Sequence, residues 1–257
     1  MLWQRALSAL VLAPPALWAA WVGAWPFAAL IGLAGAVAAW EWSVLCRGRC
    51  GRAGLVLMAM AVLAALAGGA WPLVGLAVVA LAVASVMGMP AVVGRSNRWM
   101  VAGALYVGLP SIALVWLRHE DRALLIWLLV LVWTTDIAAF AVGKTLGGPK
   151  LLPSVSPKKT WSGLAGGVAG AVVVGVVTAV VVGQPVLALA CLSGGLAVVA
   201  QAGDLAESWV KRYFGVKDSS RIIPGHGGVL DRVDGLLAVA PVVALLHLAD
   251  GLGFAHG

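Results

Sequence analysis

Residues 123–143 read ALLIWLLVLVWTTDIAAFAVG, an apolar run whose single charged residue is Asp136. A helix needs about 20 mostly apolar residues to cross the hydrocarbon core of a bilayer, where its backbone groups must pair internally. This run therefore predicts a membrane-spanning helix. Further apolar runs predict eight more spans, at 7–23, 27–45, 54–70, 72–89, 99–117, 163–182, 185–201 and 236–253.

The composition of the chain also favours an apolar solvent. Of its 257 residues, 62% are hydrophobic and 11% are charged, whereas a soluble domain is about half apolar and a quarter charged. The mean hydropathy is +1.02. We therefore predict an all-α, polytopic helical membrane protein with about nine transmembrane helices. We expect N-terminal transmembrane helices over 1–122 and a C-terminal transmembrane catalytic region over 123–257, within one continuous membrane domain.

The basic residues are distributed unevenly between the predicted loops. With the N-terminus in the cytoplasm, fifteen of the seventeen Lys and Arg residues fall on the inner side, and only Arg118 and Arg122 fall outside. This is the positive-inside bias, and it predicts a multi-pass protein whose charged loops face the cytoplasm. We expect it in the cell (inner) membrane, with its active site on the cytoplasmic face. Because these residues lie in short loops between apolar runs, the net charge of +7 favours phosphates and lipid heads as partners, not nucleic acid.

The long inner loop predicted over 202–235 begins with a polar stripe. Asp204, Glu207, Ser208 and Lys211 are spaced so that they share one face of a helix. Such a stripe could direct carboxylates and an ammonium at one ligand, or it could be a solvated helix face. The spacing alone favours neither interpretation.

The same loop continues with glycines and two further carboxylates. Gly225, Gly227 and Gly228 permit unusual dihedral angles and let backbone amides approach an anion. Asp231 and Asp234 are three residues apart, so both can face the point that Asp204 faces. Three carboxylates beside phosphate-binding cations are what a Mg²⁺–nucleotide site requires. The alternative is that Asp231 and Asp234 only stabilise a helix N-terminus.

The other long inner loop, over 144–162, contains the run Ser156-Pro157-Lys158-Lys159-Thr160. A proline stiffens it, its hydroxyls and amides can donate to phosphate oxygens, and its ammoniums can neutralise phosphate charge. The alternative is a basic loop that touches lipid heads.

Asp136 lies about 10 Å inside its span, where a carboxylate is costly, and we expect it to line the site. For Glu41, which is similarly placed, we favour a structural or helix-packing role.

Residues 208–234 resemble the signature of the phosphatidate cytidylyltransferase, or CDP-diacylglycerol synthase, family. The run Ser156–Trp161 is similar to the family's Ser-Pro-Lys-Lys-Thr loop. Ser162 stands where the family commonly has Glu, and Phe140 where it commonly has Tyr. The positions that match the signature are Ser208, Lys211-Arg212, Lys217-Asp218, Ser220, Pro224, His226-Gly227-Gly228, Asp231-Arg232 and Asp234.

The resemblance implies an enzyme of phospholipid biosynthesis that transfers CMP from CTP to phosphatidate, giving CDP-diacylglycerol and pyrophosphate. It implies Mg²⁺, and points to a second, monovalent cation and to a homodimer. We expect Asp204, Lys211 and Asp231 to be catalytic, and Asp204, Asp231 and Asp234 to hold the metal. Asp136 and Glu207 should line the site. The residues expected to bind CTP or phosphate are Ser156, Lys158, Lys159, Thr160, Ser208, Arg212, Lys217, His226, Gly227, Gly228 and Arg232.

Two other functions are compatible with parts of the pattern. A CTP-dependent kinase for a lipid alcohol would direct attack at the γ-phosphorus and release CDP. A transporter would use Asp136 and the acidic cluster for ions, but transporters place coupling charges near the bilayer midplane, often in paired repeats. Here most charges lie in loops on one side, and no repeat is evident.

Overall fold

The computed structural model describes residues 14–90, 97–222 and 227–254. Within these residues the chain forms nine helices and one β-hairpin. The first helix, α1, is described over residues 14–22. The others are α2 (Ala24–Arg47), α3 (Gly51–Gly68), α4 (Pro72–Met87), α5 (Asn97–Glu120), α6 (Arg122–Leu146), α7 (Trp161–Val182), α8 (Val186–Tyr213) and α9 (Leu230–Asp250), with strands β1 (Lys150–Leu152) and β2 (Ser156–Thr160) between α6 and α7.

Seven of the described helices, α2, α3 and α5 to α9, are long and apolar enough to cross a membrane, and α4 is a shorter apolar helix. The prediction of a multi-pass helical membrane protein is therefore confirmed. Local chemistry sets several helix ends. Pro72 begins α4, where its missing N–H costs nothing. Gly183 ends α7 with a φ of 73°, a conformation that glycine adopts without strain.

Two features of the loops differ from the sequence-based expectation. The eighth predicted span ends at residue 201, but α8 continues to Tyr213. The charged residues after Gly203 lower the hydropathy without interrupting the helix. In addition, the loop expected between α6 and α7 folds into an antiparallel hairpin, in which Lys150 faces Thr160 and Leu152 faces Ser156. The expectation of an all-α chain missed this short sheet.

Contacts divide the chain into two units. The first unit comprises Met1–Arg122 and Phe214–Val233, and the second comprises Ala123–Tyr213 and Asp234–Gly257. In the first unit, Trp42 on α2 donates through its indole nitrogen to the carbonyl of Trp99 on α5, over 2.7 Å. A side chain at Gly103 would collide with the same indole, so the absence of a side chain there lets α5 lie against Trp42.

The second unit is built on close contacts between small residues. A Cβ at Gly163 on α7 would lie 2.9 Å from the carbonyl oxygen of Ala139 on α6. A Cβ at Gly203 on α8 would overlap that of Ala238 and lie 3.0 Å from the carbonyl oxygen of Asp234, both on α9. Small residues let helix backbones approach in a membrane. They bring the polar ends of α6, α8 and α9 together.

Candidate active site

An ion pair joins the hairpin of the second unit to α8. The ammonium of Lys159 lies 2.6 Å from Oδ2 of Asp204, and the two side chains are 18% and 30% exposed. Lys159 also donates to Oε1 of Gln201 over 3.1 Å. On its other side, Gln201 donates to Oδ1 of Asp136 over 3.5 Å. A chain of polar contacts therefore runs from the hairpin across α8 to the carboxylate inside α6.

Neighbouring residues of the hairpin have different environments. Successive side chains of a strand point to opposite faces, and Lys158 is exposed whereas Lys159 is half-buried.

The hydroxyl of Thr160 accepts the N–H of Gly163 over 3.0 Å and thereby caps α7. Ser162, a departure from the family pattern, contacts that hydroxyl at 3.0 Å and donates to the carbonyl of Gly147. Thr160 thus has a structural partner, and its expected part in CTP binding stays a prediction.

The middle of the α8 stripe is a buried ion pair. Oε2 of Glu207 lies 3.3 Å from the ammonium of Lys211, and the two residues are 1% and 8% exposed. They are one turn apart on the helix, where side chains meet. A buried pair of this kind is retained only with good geometry or further partners, so the stripe is not a solvated helix face at these two positions.

The remaining stripe residues hold nearby segments. The hydroxyl of Ser208 donates to Oδ1 of Asp204 over 3.3 Å. One turn further along α8, Nε of Arg212 donates to the carbonyl of Val155 in the hairpin turn, over 3.3 Å. Ser156, next to that turn, is half-buried in β2. Ser208 therefore contacts Asp204, and Arg212 contacts the hairpin. Lys159 joins the same hairpin to Asp204.

Asp234 adds a fourth carboxyl group to the second unit. It lies within electrostatic range of Asp204, Glu207 and Asp136, and its Oδ1 accepts the N–H of Gly235 over 2.8 Å. We call Asp136, Asp204, Glu207 and Asp234 the acidic cluster; they come from α6, α8 and α9. Lys159 and Lys211 are the two ammoniums paired with it, so acidic groups outnumber ammoniums two to one.

Asp231 belongs to the first unit and organises the loop that leads into α9. Its Oδ2 accepts the N–H of Ser219 over 3.0 Å, the hydroxyl of Ser219 over 2.8 Å and the N–H of Gly228 over 2.8 Å. An acid in the first turn that reaches back to a preceding N–H stabilises a helix start. This is the structural role that the sequence left open for Asp231. A metal-binding role for it stays a prediction.

Glu41 contacts the same loop from α2. Its carboxylate accepts four donors: the hydroxyls of Ser219 and Ser220 and the backbone N–H groups of Val229 and Leu230. Glu41 is 0% exposed. The expected structural role of Glu41 is therefore correct in kind, but its partners are loop residues more than 170 positions away, which no local pattern indicates. The useful signal was a carboxylate inside an apolar span.

Other predicted residues have the following positions. Lys217 and Arg232 are exposed and Gly227 is half-buried. Gly227 has a φ of 81°, so the expected unusual dihedral is present. His226 lies outside the described residues. Gln201, which the sequence analysis did not single out, contacts both Asp136 and Lys159; a polar amide within an apolar run was the available signal.

The residues of the acidic cluster have the right chemistry for Mg²⁺, which prefers carboxylate oxygens. Among residues 14–90, 97–222 and 227–254, however, no group of three or more His, Cys, Asp or Glu side chains is spaced to hold a metal ion by itself. Mg²⁺ is commonly bound by one or two carboxylates together with substrate phosphates. The donor set therefore fits a metal that arrives with a nucleotide better than a metal held by protein ligands alone.

Comparisons with known proteins agree with these features. The cytidylyltransferase family matches residues 3–249. The phosphatidate cytidylyltransferase of Brucella suis biovar 1 (strain 1330) is 43% identical over 261 residues, which cover 95% of this chain and 91% of that protein. The phosphatidate cytidylyltransferase of Pseudomonas aeruginosa (strain PAO1) is 43% identical over 270 residues, covering 98% and 99%. That of Bacillus subtilis (strain 168) is 39% identical over 153 residues, covering 58% and 57%.

Proposed function

Because the chain belongs to the cytidylyltransferase family, we propose that it is a phosphatidate cytidylyltransferase. In this reaction a phosphate oxygen of phosphatidate attacks the α-phosphorus of CTP. The bond from that phosphorus to the bridging oxygen of the β-phosphate breaks, so pyrophosphate leaves and CDP-diacylglycerol remains in the membrane. The observation that carries the proposal is the Lys159–Asp204 pair, because an ammonium can bind phosphate and a carboxylate can bind a metal, and these two groups lie 2.6 Å apart.

The side chains of the second unit supply what this reaction needs. An ionised phosphate monoester is already a nucleophile, so the enzyme has to position two anions and offset their repulsion. We assign Lys159 and Lys211 to phosphate oxygens of the substrates, for which they would exchange their carboxylate partners. Lys158, exposed on the other face of β2, offers a further charge to phosphate. Asp136 and Glu207 line this region.

The loop of the first unit contributes donors of a different kind. Lys217 and Arg232 are exposed cations. Gly227 and Gly228 have no side chains, and the N–H of Gly228, which donates to Asp231, would have to exchange that partner for phosphate. We assign phosphate binding to these four residues and to His226. Asp231 keeps the loop closed through its Oδ2, and its charge is available to the substrate complex.

Mg²⁺ is the proposed cofactor. We propose that it arrives with the triphosphate and is held by one or two carboxylates from the set Asp204, Asp231 and Asp234 together with phosphate oxygens. It would offset charge on the triphosphate and polarise the phosphorus under attack. A second, monovalent cation and a homodimer complete the proposal and rest on the family resemblance. Titration of activity with K⁺ and Na⁺ tests the former, and the mass of the detergent-solubilised protein by light scattering tests the latter.

We propose nine transmembrane spans, with α1 and α4 crossing in addition to the seven long apolar helices. This count puts the hairpin, the charged end of α8 and the loop before α9 in the cytoplasm, where CTP is available. The membrane would be the cell (inner) membrane. Labelling of single cysteines introduced at exposed positions 150 and 217 of intact cells tests the orientation, because a membrane-impermeant reagent should reach neither of them.

The decisive experiment incubates the purified protein with CTP, phosphatidate and Mg²⁺. We expect pyrophosphate and CDP-diacylglycerol in equal amounts. Release of CDP with phosphorylation of a lipid alcohol would instead identify a lipid kinase. Lipid-independent ion flux in vesicles without CTP turnover would identify a transporter, and either result refutes the proposal.

A further inference from the structure

We propose that Glu41 is a positioning residue that holds residues 219–220 and 229–230 together in the arrangement that binds CTP. Glu41 lies on α2, far in sequence from the stretch that resembles the family signature. The inference rests on the proposed function, because it concerns a loop to which that proposal assigns phosphate binding.

Glu41 ties the two ends of this loop to each other. Its Oε1 accepts the hydroxyl of Ser220 over 2.6 Å and the N–H of Val229 over 2.9 Å. Its Oε2 accepts the N–H of Leu230 over 2.7 Å and the hydroxyl of Ser219 over 3.2 Å. Each oxygen thus contacts one residue of 219–220 and one of 229–230, so the carboxylate joins these two segments.

The burial of Glu41 makes this tie strong. Its side chain is 0% exposed, and it takes part in neither of the two ion pairs found among the described residues. Its charge is balanced by the N–H groups at the start of α9, the positive end of that helix. A carboxylate buried without such donors is costly. Separation of residues 219–220 from 229–230 would therefore leave Glu41 without part of its donors.

The loop is shaped to accept this carboxylate. A Cβ at Gly228 would overlap both Oε1 of Glu41 and the hydroxyl of Ser219. Asp231 makes a second closure by accepting the N–H groups of Ser219 and Gly228. The hydroxyl of Ser219 has one proton to share between Asp231, at 2.8 Å, and Glu41, at 3.2 Å. The proposed phosphate-binding glycines therefore lie inside a segment closed by two carboxylates.

A substitution of Glu41 by glutamine separates positioning from folding. Glutamine has the same shape and a similar helix propensity, so α2 should be unaffected. Its amide group keeps one acceptor oxygen and replaces the other with an NH₂ group. In one orientation of the amide the NH₂ group faces the N–H of Val229, and in the other it faces the N–H of Leu230. Two donors cannot pair, so one of these two hydrogen bonds is lost.

The test is steady-state kinetics of the full-length protein in detergent. For Glu41→Gln we expect the KM for CTP to rise about ten- to a hundredfold, as for the loss of a hydrogen bond to a buried charge. The KM for phosphatidate should stay unchanged. Ser220→Ala removes one donor to Glu41 and should raise the KM for CTP by a smaller factor. In the double variant the two effects should not add, because both substitutions act on contacts of the same side chain.

Glu120→Gln is the matched control. Glu120 is an exposed glutamate at the end of α5 in the same unit, and its substitution should change no parameter. The inference would be overturned if the KM for CTP stayed at the control value in Ser220→Ala and in the folded fraction of Glu41→Gln. If Glu41→Gln does not fold, the result for Ser220→Ala decides alone. A wild-type protein that makes no CDP-diacylglycerol would refute the proposed function and this inference with it, whereas active wild type with unresponsive variants refutes only the inference.

Discussion

Replacement of Lys159 by methionine tests whether this lysine of the hairpin binds substrate phosphate or only pairs with Asp204. Methionine keeps the length of the apolar stem and removes the charge. In the structure the ammonium lies 2.6 Å from Asp204 and 3.1 Å from the amide oxygen of Gln201. The substitution therefore removes one charge-assisted contact and two hydrogen bonds to Gln201, one to its amide oxygen and one to its backbone carbonyl.

The size of a purely structural effect can be bounded from these contacts. A hydrogen bond between charged groups contributes about 1.5–3 kcal/mol. Exposure of 18% and 30% brings solvent screening, so we take the lower end, about 1.5 kcal/mol, or about tenfold in an equilibrium. If Lys159 also neutralises developing charge on the phosphates, the loss in kcat/KM should be about 10²–10³, as for other preorganised donors.

The assay is the initial rate of CDP-diacylglycerol formation over a range of CTP concentrations, with elution volume and melting temperature as measures of folding. Lys150→Met is the control, because Lys150 is an exposed lysine of the same hairpin, opposite Thr160. We expect Lys150→Met to behave as wild type. A folded Lys159→Met protein whose kcat/KM is reduced only about tenfold or less would refute the catalytic role and leave Lys159 as a structural partner of Asp204.

Two further substitutions test the metal assignment and the packing of the site. Asp231→Asn retains an oxygen that can accept from Ser219 and Gly228 but loses the charge, so turnover should be abolished while the melting temperature changes little; near-normal CDP-diacylglycerol synthesis would refute the metal assignment. Gly203→Ala places a methyl group against Ala238 and should lower the free energy of unfolding by about 1–3 kcal/mol. Gly195→Ala is the control, because a methyl group at this position of the same helix meets open space. Its melting temperature should be unchanged or higher. Equal melting temperatures for the two alanine variants would contradict the close approach of α8 and α9.

Hydropathy was sufficient to predict most of the helical framework, since each long helix in a membrane has to present apolar residues along its length. The predicted span 163–182 compares with α7 over Trp161–Val182, and 123–143 with α6 over Arg122–Leu146. The end of α8 was underestimated for a physical reason. Its last turns carry charges whose partners, such as Glu207 for Lys211, lie one turn away on the helix itself, and hydropathy does not register such pairs.

The site was only partly predictable. The stripe on α8 and the lysines of the hairpin follow from spacing, and Lys159 does meet Asp204. The identity of the lysine that makes the contact depends on the strand alternation of a hairpin that the sequence did not reveal. The contacts of Glu41 depend on tertiary structure, because its partners at 219–230 become neighbours only when the first unit has folded.

The excess of acid in the second unit leads to a prediction about the order in which ligands can bind. Lys159 and Lys211 are both paired with carboxylates, so a triphosphate alone has to displace these partners, and no group of three carboxylates among the described residues forms a metal site without it. Each ligand should therefore increase the affinity for the other by the same factor, since coupling between two binding events is reciprocal. Calorimetric titration with CTP should show affinity at least about tenfold higher with Mg²⁺ than with EDTA, and Asp204→Asn should reduce that difference. Equal CTP affinity under both conditions would mean that the ammoniums alone suffice, and that the acidic cluster has no part in holding a metal–nucleotide complex.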